Sequence, residues 1–374
     1  MADLSQALAG RRILICAGAG GVGKTTVAAA LGLGRALAGE RVLVCTIDPA
    51  RRLASAMGLA AIGNVEARVP AHAFAEAGLR PRGELHAMML DVKRTWDDVV
   101  TRHAPDPARR ERILRNRLYQ QMSAALAGSQ EYMAMEKLFE LATDRDFDLV
   151  VLDTPPTAHA LDFLDAPDRI LDFLGNDAAR ALLSPAAGAG RLGLRLAQLG
   201  SDYMARTLAR FTGGDMLRDL AEFLGAFHGM YDGFRERAGA VRALLARPTT
   251  GFVLVASPNP LAIGEALGLQ ERLHAEGMQV AALVANRVTP DLWPGGAPLP
   301  DAAALGAALP SEGALAGRLA ASLAEHQRLA AADARELERI FAQMAAPRAI
   351  VPRQERDVHD LASLARLARE LLGA

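Results

Sequence analysis

The chain has 374 residues, 51% of them hydrophobic, enough to bury a large core, and its length favours two domains or one domain carrying a big insertion. Lys+Arg and Asp+Glu nearly cancel (42 against 43, net −1), so no global field draws it to nucleic acid or to an anionic membrane, and any such contact must be local. The N-terminus has no basic segment leading into a long apolar stretch, and no charge-free apolar run of about 18 residues occurs, so a soluble cytoplasmic protein is expected.

The first predicted strand, ILICA (13–17), runs directly into AGAGGVGKTT (17–26). From Gly18 to Thr25 this stretch fits the phosphate-loop pattern G-x-x-x-x-G-K-[ST]. Gly18, Gly20, Gly21 and Gly23 let the backbone curl so that successive N–H groups form a nest for phosphate oxygens, and a helix from about Lys24 adds its positive end. In that setting Lys24 reaches the β- and γ-phosphates, Thr25 places its hydroxyl on Mg²⁺, and Val22 and Thr26 complete the cradle. The bland alternative is a glycine-rich turn that binds nothing. Lysine is scarce, with Lys24, Lys93 and Lys137 the only three, which makes a lysine at this position harder to dismiss as background.

Further along come VLVCTID (42–48), LHAMML (85–90), DLVVLD (148–153), FVLVAS (252–257), VAALVANR (280–287) and RAIVP (348–352). Continuous apolar runs suit strands buried on both faces, so the fold class is α/β with a mainly parallel central sheet flanked by helices. Between them, residues 92–145 and 163–247 show long helical periodicities without strands. The expected division is a phosphate-loop domain over 1–91, 146–162 and 248–374, with 92–145 and 163–247 forming a helical insertion subdomain. The Gly- and Ala-rich stretch 184–200 reads as a mobile loop or weak helix, and TPDLWPGGAPLP (289–300) as a loop. No internal repeat and no second phosphate loop is found.

Two aspartates fall at predicted strand ends, where open parallel sheets place their ligands. Asp153 follows four apolar residues, the placement that a Mg²⁺-water ligand of a phosphate-loop enzyme needs, and Asp48 is then the candidate for orienting or deprotonating the attacking water. Each aspartate alone reads as readily as a helix cap or turn residue. The only two cysteines, Cys16 and Cys45, lie in the first two strands and read as core residues rather than redox or metal groups.

In the helical stretches, Met216, Leu217, Leu220, Phe223, Leu224, Phe227, Met230, Tyr231 and Phe234 recur three and four apart. Such a stripe is either internal core or a groove for another apolar helix, and EYMAMEKLFEL (131–141) carries the same pair of readings. RHAPDPARRERILRNR (102–117) is locally basic, a solvated helix face or a contact for a partner or an acidic lipid.

The order of GAGGVGKTT, TIDPARRL, DTPPTAHAL and VANRV resembles the ArsA family of anion-pump and tail-anchored-protein-targeting ATPases, within the wider group of MinD, ParA and the nitrogenase iron protein. The resemblance implies a phosphate loop at Gly18–Thr26, a switch I from Asp48 to Arg52 and a switch II from Asp153 to His159. It also implies an adenine contact at Asn286 with the region of Pro352. It further implies a homodimer, or a heterodimer with a related chain, closing around two ATP molecules and working a composite surface of the helical insertions. Three departures narrow this. The family's signature lysine at the second loop position is Ala19 here, the zinc-binding C-x-x-C is missing, and so are the metalloid-binding cysteines, so arsenite transport is not expected.

The resulting expectation is a cytoplasmic Mg²⁺-dependent ATPase that binds a hydrophobic helix or protein client, without nucleic acid and without zinc. Alternatives are a ParA- or MinD-like positioning ATPase, or a dethiobiotin-synthetase-like metabolic enzyme on the same scaffold. NRVT (286–289) is not the N-K-x-D that reads guanine, which favours ATP over GTP. With Ala19 in the loop, Arg51 or Arg52 is the candidate for the missing positive charge, Arg51 first; the competing reading makes both exposed helix residues.

Overall fold

The computed structural model describes residues 4–47, 52–59, 62–104, 106–122, 129–154, 231–295, 297–308 and 313–373. The chain divides into two compact units, one of Met1–Met89, Asp146–Ala160 and Ala246–Ala374, the other of Leu90–Arg145 and Leu161–Leu245. Among the described residues no helix is long and apolar enough to cross a membrane.

Among the described residues, the first unit is built on one eight-stranded sheet. Its strands are β1 (Ile13–Ala17), β2 (Arg41–Thr46), β3 (Ala67–Arg68), β4 (Glu84–Met89), β5 (Leu149–Asp153), β6 (Thr250–Ala256), β7 (Val280–Val288) and β8 (Arg348–Pro352). They lie in the order β3-β4-β2-β5-β1-β6-β7-β8, and every pair is parallel except β3 with β4. The mainly parallel α/β class expected from the apolar runs is what is found. All five residues of β1, all five of β5 and all seven of β6 are buried, as central strands covered on both faces must be. The two-residue β3 is too short to leave a periodic signal in the sequence.

The helices of this unit are α1 (Leu4–Ala7), α2 (Lys24–Ala38), α3 (Arg52–Ala56), α4 (Ala71–Glu76) and, after the helical unit, α10 (Pro260–Ala275), α11 (Ala302–Ala308), α12 (Gly313–Gln343) and α13 (Leu361–Leu372). The helix α2 is wedged between the sheet and α13, and two glycines in its interior make that closeness possible. A Cβ on Gly32 would come 2.3 Å from Val44 Cγ2, and one on Gly34 would come 2.5 Å from Leu372 Cδ1. Each glycine costs a helix interior about 1 kcal/mol against alanine, a loss that the close packing offsets. The α13 helix is amphipathic, burying Leu361, Leu364, Leu367, Leu371 and Leu372, and starts from a capping box in which Asp360 and Ser363 bond reciprocally.

The second unit contains α5 (Val92–His103), α6 (Pro107–Arg115), α7 (Arg117–Met122), α8 (Ser129–Asp144) and α9 (Tyr231–Leu245). Asp91 and Asp106 cap α5 and α6 by accepting from the N–H groups of Arg94 and Arg109. The stripe on α8 is core: Tyr132, Met133, Met135, Leu138 and Leu141 are all buried, and the Tyr132 ring stacks 6.3 Å from that of Trp96. On the basic stretch, Arg109, Arg110, Arg112 and Arg115 are exposed around a single buried Ile113 on α6, an exposure that both readings of the stretch share. The second stripe, Met216 to Phe234, and the Gly- and Ala-rich stretch 184–200 fall outside the residues whose side chains are described.

Candidate nucleotide site

The parallel register brings three strand ends together. Cys16 on β1 and Thr46 on β2 both pair with Asp153 on β5, so the C-terminal ends of these strands share one edge of the sheet. The loop leaves β1 there. Gly18 has φ 151°, and a Cβ on it would lie 2.0 Å from the carbonyl oxygen of Val255, so no other residue fits. Gly23 closes the loop at φ 97° and caps α2 without a side-chain cap bond, and first-turn N–H groups of a helix are donors suited to an anion.

Lys24 opens α2 and is buried, 5% exposed. Its ammonium donates to the carbonyls of Gly18 (2.9 Å) and Ala19 (3.0 Å), so the side chain folds back over the loop it follows. Next to it, the Thr25 hydroxyl donates to Asp153 Oδ2 at 2.7 Å, and the Thr46 hydroxyl donates to the same oxygen at 2.8 Å. Asp153 is fully buried at the end of β5, and Thr154 beside it donates from its hydroxyl to the Cys16 carbonyl at 2.9 Å. A hydroxyl and a carboxylate are hard oxygen donors, the set that Mg²⁺ takes when phosphate oxygens and water fill its remaining positions. The residues therefore fit that ion.

The electrostatics of this corner are visible at Cys16, whose thiol is pushed well above its ordinary range, first by burial and then by the Asp153 charge, with Lys24 pulling the other way. Such a thiol is inert, and Cys16 and Cys45 are both buried core residues.

A cleft of about 950 Å³ extends from Gly23 and Thr25 past Thr26 to Asn286 and Arg287 at the end of β7 and to Pro352 at the end of β8. Asn286 is only 7% exposed: its amide donates to the Val22 carbonyl at 2.7 Å, and its Oδ1 accepts from the Arg287 N–H at 3.0 Å. Gly23 has no room for a Cβ because of this side chain, which would lie 2.3 Å away. Asn286 thus braces the phosphate loop from the neighbouring part of the sheet, whatever else it contacts.

Of the residues singled out in the sequence, Gly18, Gly20, Gly21, Val22, Gly23, Lys24, Thr25 and Thr26 are contiguous, Asp153 joins them through Thr25, and Asn286 joins them through Val22. Pro352 lines the same cleft. Ala19 is buried, 7% exposed. Asp48, Arg51 and the switch II residues after Thr154 lie outside the described residues, and of Arg52 only the backbone, at the start of α3, is described. Sequence reasoning missed Thr46 and Arg287. A polar residue ending the otherwise apolar run of β2 could have flagged Thr46. Arg287 left no such mark, yet its guanidinium donates to the Gly21 carbonyl at 2.8 Å.

Residues 11–293 match the family model described as "Anion-transporting ATPase". Among curated relatives, the chain is 28% identical over 156 residues to the ATPase GET3 of Malassezia globosa, covering 41% of this chain and 42% of that one. It is 29% identical over 281 residues to the protein SCO2128 of Streptomyces coelicolor, covering 75% of this chain and 63% of that one. With the ATPase GET3C of Arabidopsis thaliana it shares 25% identity over 289 residues, 75% of this chain and 68% of the relative. The first two alignments thus span less than two thirds of the relatives' own length.

Proposed function

The chain belongs to the ArsA family of anion-transporting ATPases, and from that premise we propose that it hydrolyses ATP with Mg²⁺ at the phosphate loop. The observation that carries this reading is the convergence of Thr25 and Asp153, 2.7 Å apart and 128 residues distant in sequence, beside the buried Lys24. Thr25 and Asp153 would hold the metal, which when bound supplies charge neutralisation at the β- and γ-phosphates. The loop N–H groups from Gly18 to Thr26 bind the phosphates, and Lys24 turns from the loop carbonyls to the phosphoryl oxygens. Asp48 orients the attacking water and accepts its proton, while Asn286 and Pro352 hold the adenine.

A lysine is lacking at Ala19, so the transferring phosphoryl group needs another cation, and Arg51 in switch I is its proposed source, in the same subunit or across a dimer. The working unit is a nucleotide-gated homodimer or heterodimer, and the helical unit carries the surface that takes a hydrophobic helix or protein client. Relatives named as ATPases support the chemistry, and the two-unit architecture accommodates the division of labour.

The test is phosphate release by the purified chain with and without Mg²⁺, for the parent and for Asp48→Asn. Turnover should require Mg²⁺, and the variant should bind ATP at near-parental affinity while turnover stops, because the water-orienting carboxylate is removed without touching the phosphate cradle. A matched loss of affinity and turnover would make Asp48 structural. A slow Arg51→Ala enzyme rescued by Ala19→Lys would support the charge assignment, and parental rates in Arg51→Ala would end it.

A further inference from the structure

Arg287 is the one non-glycine residue with a positive φ, 62°, among the described residues. It sits where β7 slips against β8: Asn286 pairs with Val351 and Val288 pairs with Pro352, so two consecutive residues of β8 face three of β7 and Arg287 is the extra one. A left-handed arginine is strained where glycine would not be, and a bulge beside a ligand site re-aims a side chain. What the position keeps at that cost is therefore the arginine side chain.

That side chain has two engagements. Its Nη1 donates to the Gly21 carbonyl at 2.8 Å, one residue from the Val22 carbonyl that Asn286 holds, so consecutive residues of β7 grip consecutive residues of the loop. It also remains exposed and lines the cleft together with Asn286 and Pro352. A guanidinium pinned at one corner by a carbonyl keeps its planar cationic face in a defined place, which is the geometry that stacks on a heteroaromatic ring. We propose that Arg287 is a base-contacting residue: its guanidinium plane, held in place by the bond to the Gly21 carbonyl, stacks on the nucleobase. The proposal rests on the reading of the loop as a nucleotide site.

Calorimetric titration of the full chain with two probes separates the possibilities: ATP with Mg²⁺, and inorganic tripolyphosphate with Mg²⁺, which has the phosphates without the base. The variants are Arg287→Gly, which suits the backbone at φ 62°, and Arg287→Lys, which keeps charge and length but not the plane. The glycine variant should melt at or above the parental temperature without ligand, lose about tenfold in ATP affinity, and change by less than about twofold for tripolyphosphate. The lysine variant should fall between the two for ATP. Equal losses for both probes would mean that Arg287 only braces the loop, and unchanged ATP affinity would mean that it contacts no base; either result overturns the proposal, as does parental ATP affinity in the lysine variant. A parent that binds tripolyphosphate but gains nothing from the adenosine also overturns it. A parent that binds neither probe would instead refute the nucleotide reading of the loop itself.

Discussion

Lys24 in the sheet unit and Lys137 in the helical unit are buried to nearly the same extent, 5% and 6% exposed, but they meet different partners. Lys24 donates to two neutral carbonyls of its own loop, whereas Lys137 donates to the Glu140 carboxylate at 2.9 Å. Around Lys137 the pairing continues. Glu140 also accepts from Arg102 at 3.2 Å, and the 3%-exposed Glu136 takes Arg237 at 2.8 Å, whose guanidinium lies 4.2 Å over the Phe139 ring. Three helices, α5, α8 and α9, are joined by this network. In the helical unit the buried charges bond opposite charges; at the sheet edge Lys24 donates to loop carbonyls and Asp153 accepts from two threonine hydroxyls, polar groups of the kind that line a phosphate loop. On the proposed function, the same residue type serves cohesion in one unit and ligand chemistry in the other.

The largest expected effect would break the comparison on the sheet side. Lys24→Ala should lower ATP turnover by about 10²–10³ while leaving the melting temperature of the ligand-free protein nearly unchanged. An unchanged rate in a steady-state phosphate-release assay would refute the assignment of the loop.

On the helical side the signs reverse. Glu136→Ala leaves Arg237 in a partly buried site without its carboxylate partner and should cost about 3–5 kcal/mol, read as lost hydrogen-exchange protection in α8 and α9. ATP affinity should stay near the parental value. Protection that survives would show that the Phe139 contact and the Tyr132–Trp96 stack hold the helices without the ion pairs.

Acid sharpens the contrast further. Burial pushes the Glu140 carboxyl up, but its bonds to Lys137 and Arg102 outweigh this and hold it below its ordinary value of 4.5. A carboxyl depressed in the folded state stabilises above its unfolded pKa, and that contribution is lost as pH falls through the folded value. Protection in α8 should therefore decline as pH drops below 4.5, and Glu140→Gln should flatten that decline. A variant with the parental acid profile would assign the effect to other carboxylates.

The smallest effect belongs to the sheet unit's periphery. Asp360→Ala removes the cap of α13 and should cost about 1 kcal/mol in a denaturant melt, without altering turnover, since the capping box serves only its own helix. A change in turnover of more than a few-fold would show that α13, whose Leu367 lines the cleft, transmits the loss of its cap to the site.

How much of this was readable beforehand follows from the range of each interaction. The phosphate loop, the strand that feeds it and the helix that leaves it lie within 26 consecutive residues from Ile13 to Ala38, so motif and apolar run identify them together. Asp153 could be matched to Thr25 across 128 residues because a carboxylate ending an apolar strand has a recognisable pattern. The stripe on α8, by contrast, reads identically as core or groove, since periodicity reports which residues share a face and not what covers it; packing against Trp96 and burial decided for core.

By itself the sequence determined the α/β class, the parallel sheet, the loop and its two flanking elements, because these rest on local spacing and on hydrophobic runs. The tertiary structure alone decided that Thr46 shares the Asp153 oxygen with Thr25, that Asn286 and Arg287 grip Val22 and Gly21, and that Lys137 is buried in a salt-bridge network. The physical reason is sequence separation. Strand order and a one-residue bulge bring Arg287 within 2.8 Å of a carbonyl 266 residues away, and a left-handed backbone at a single arginine has no signature in composition or period.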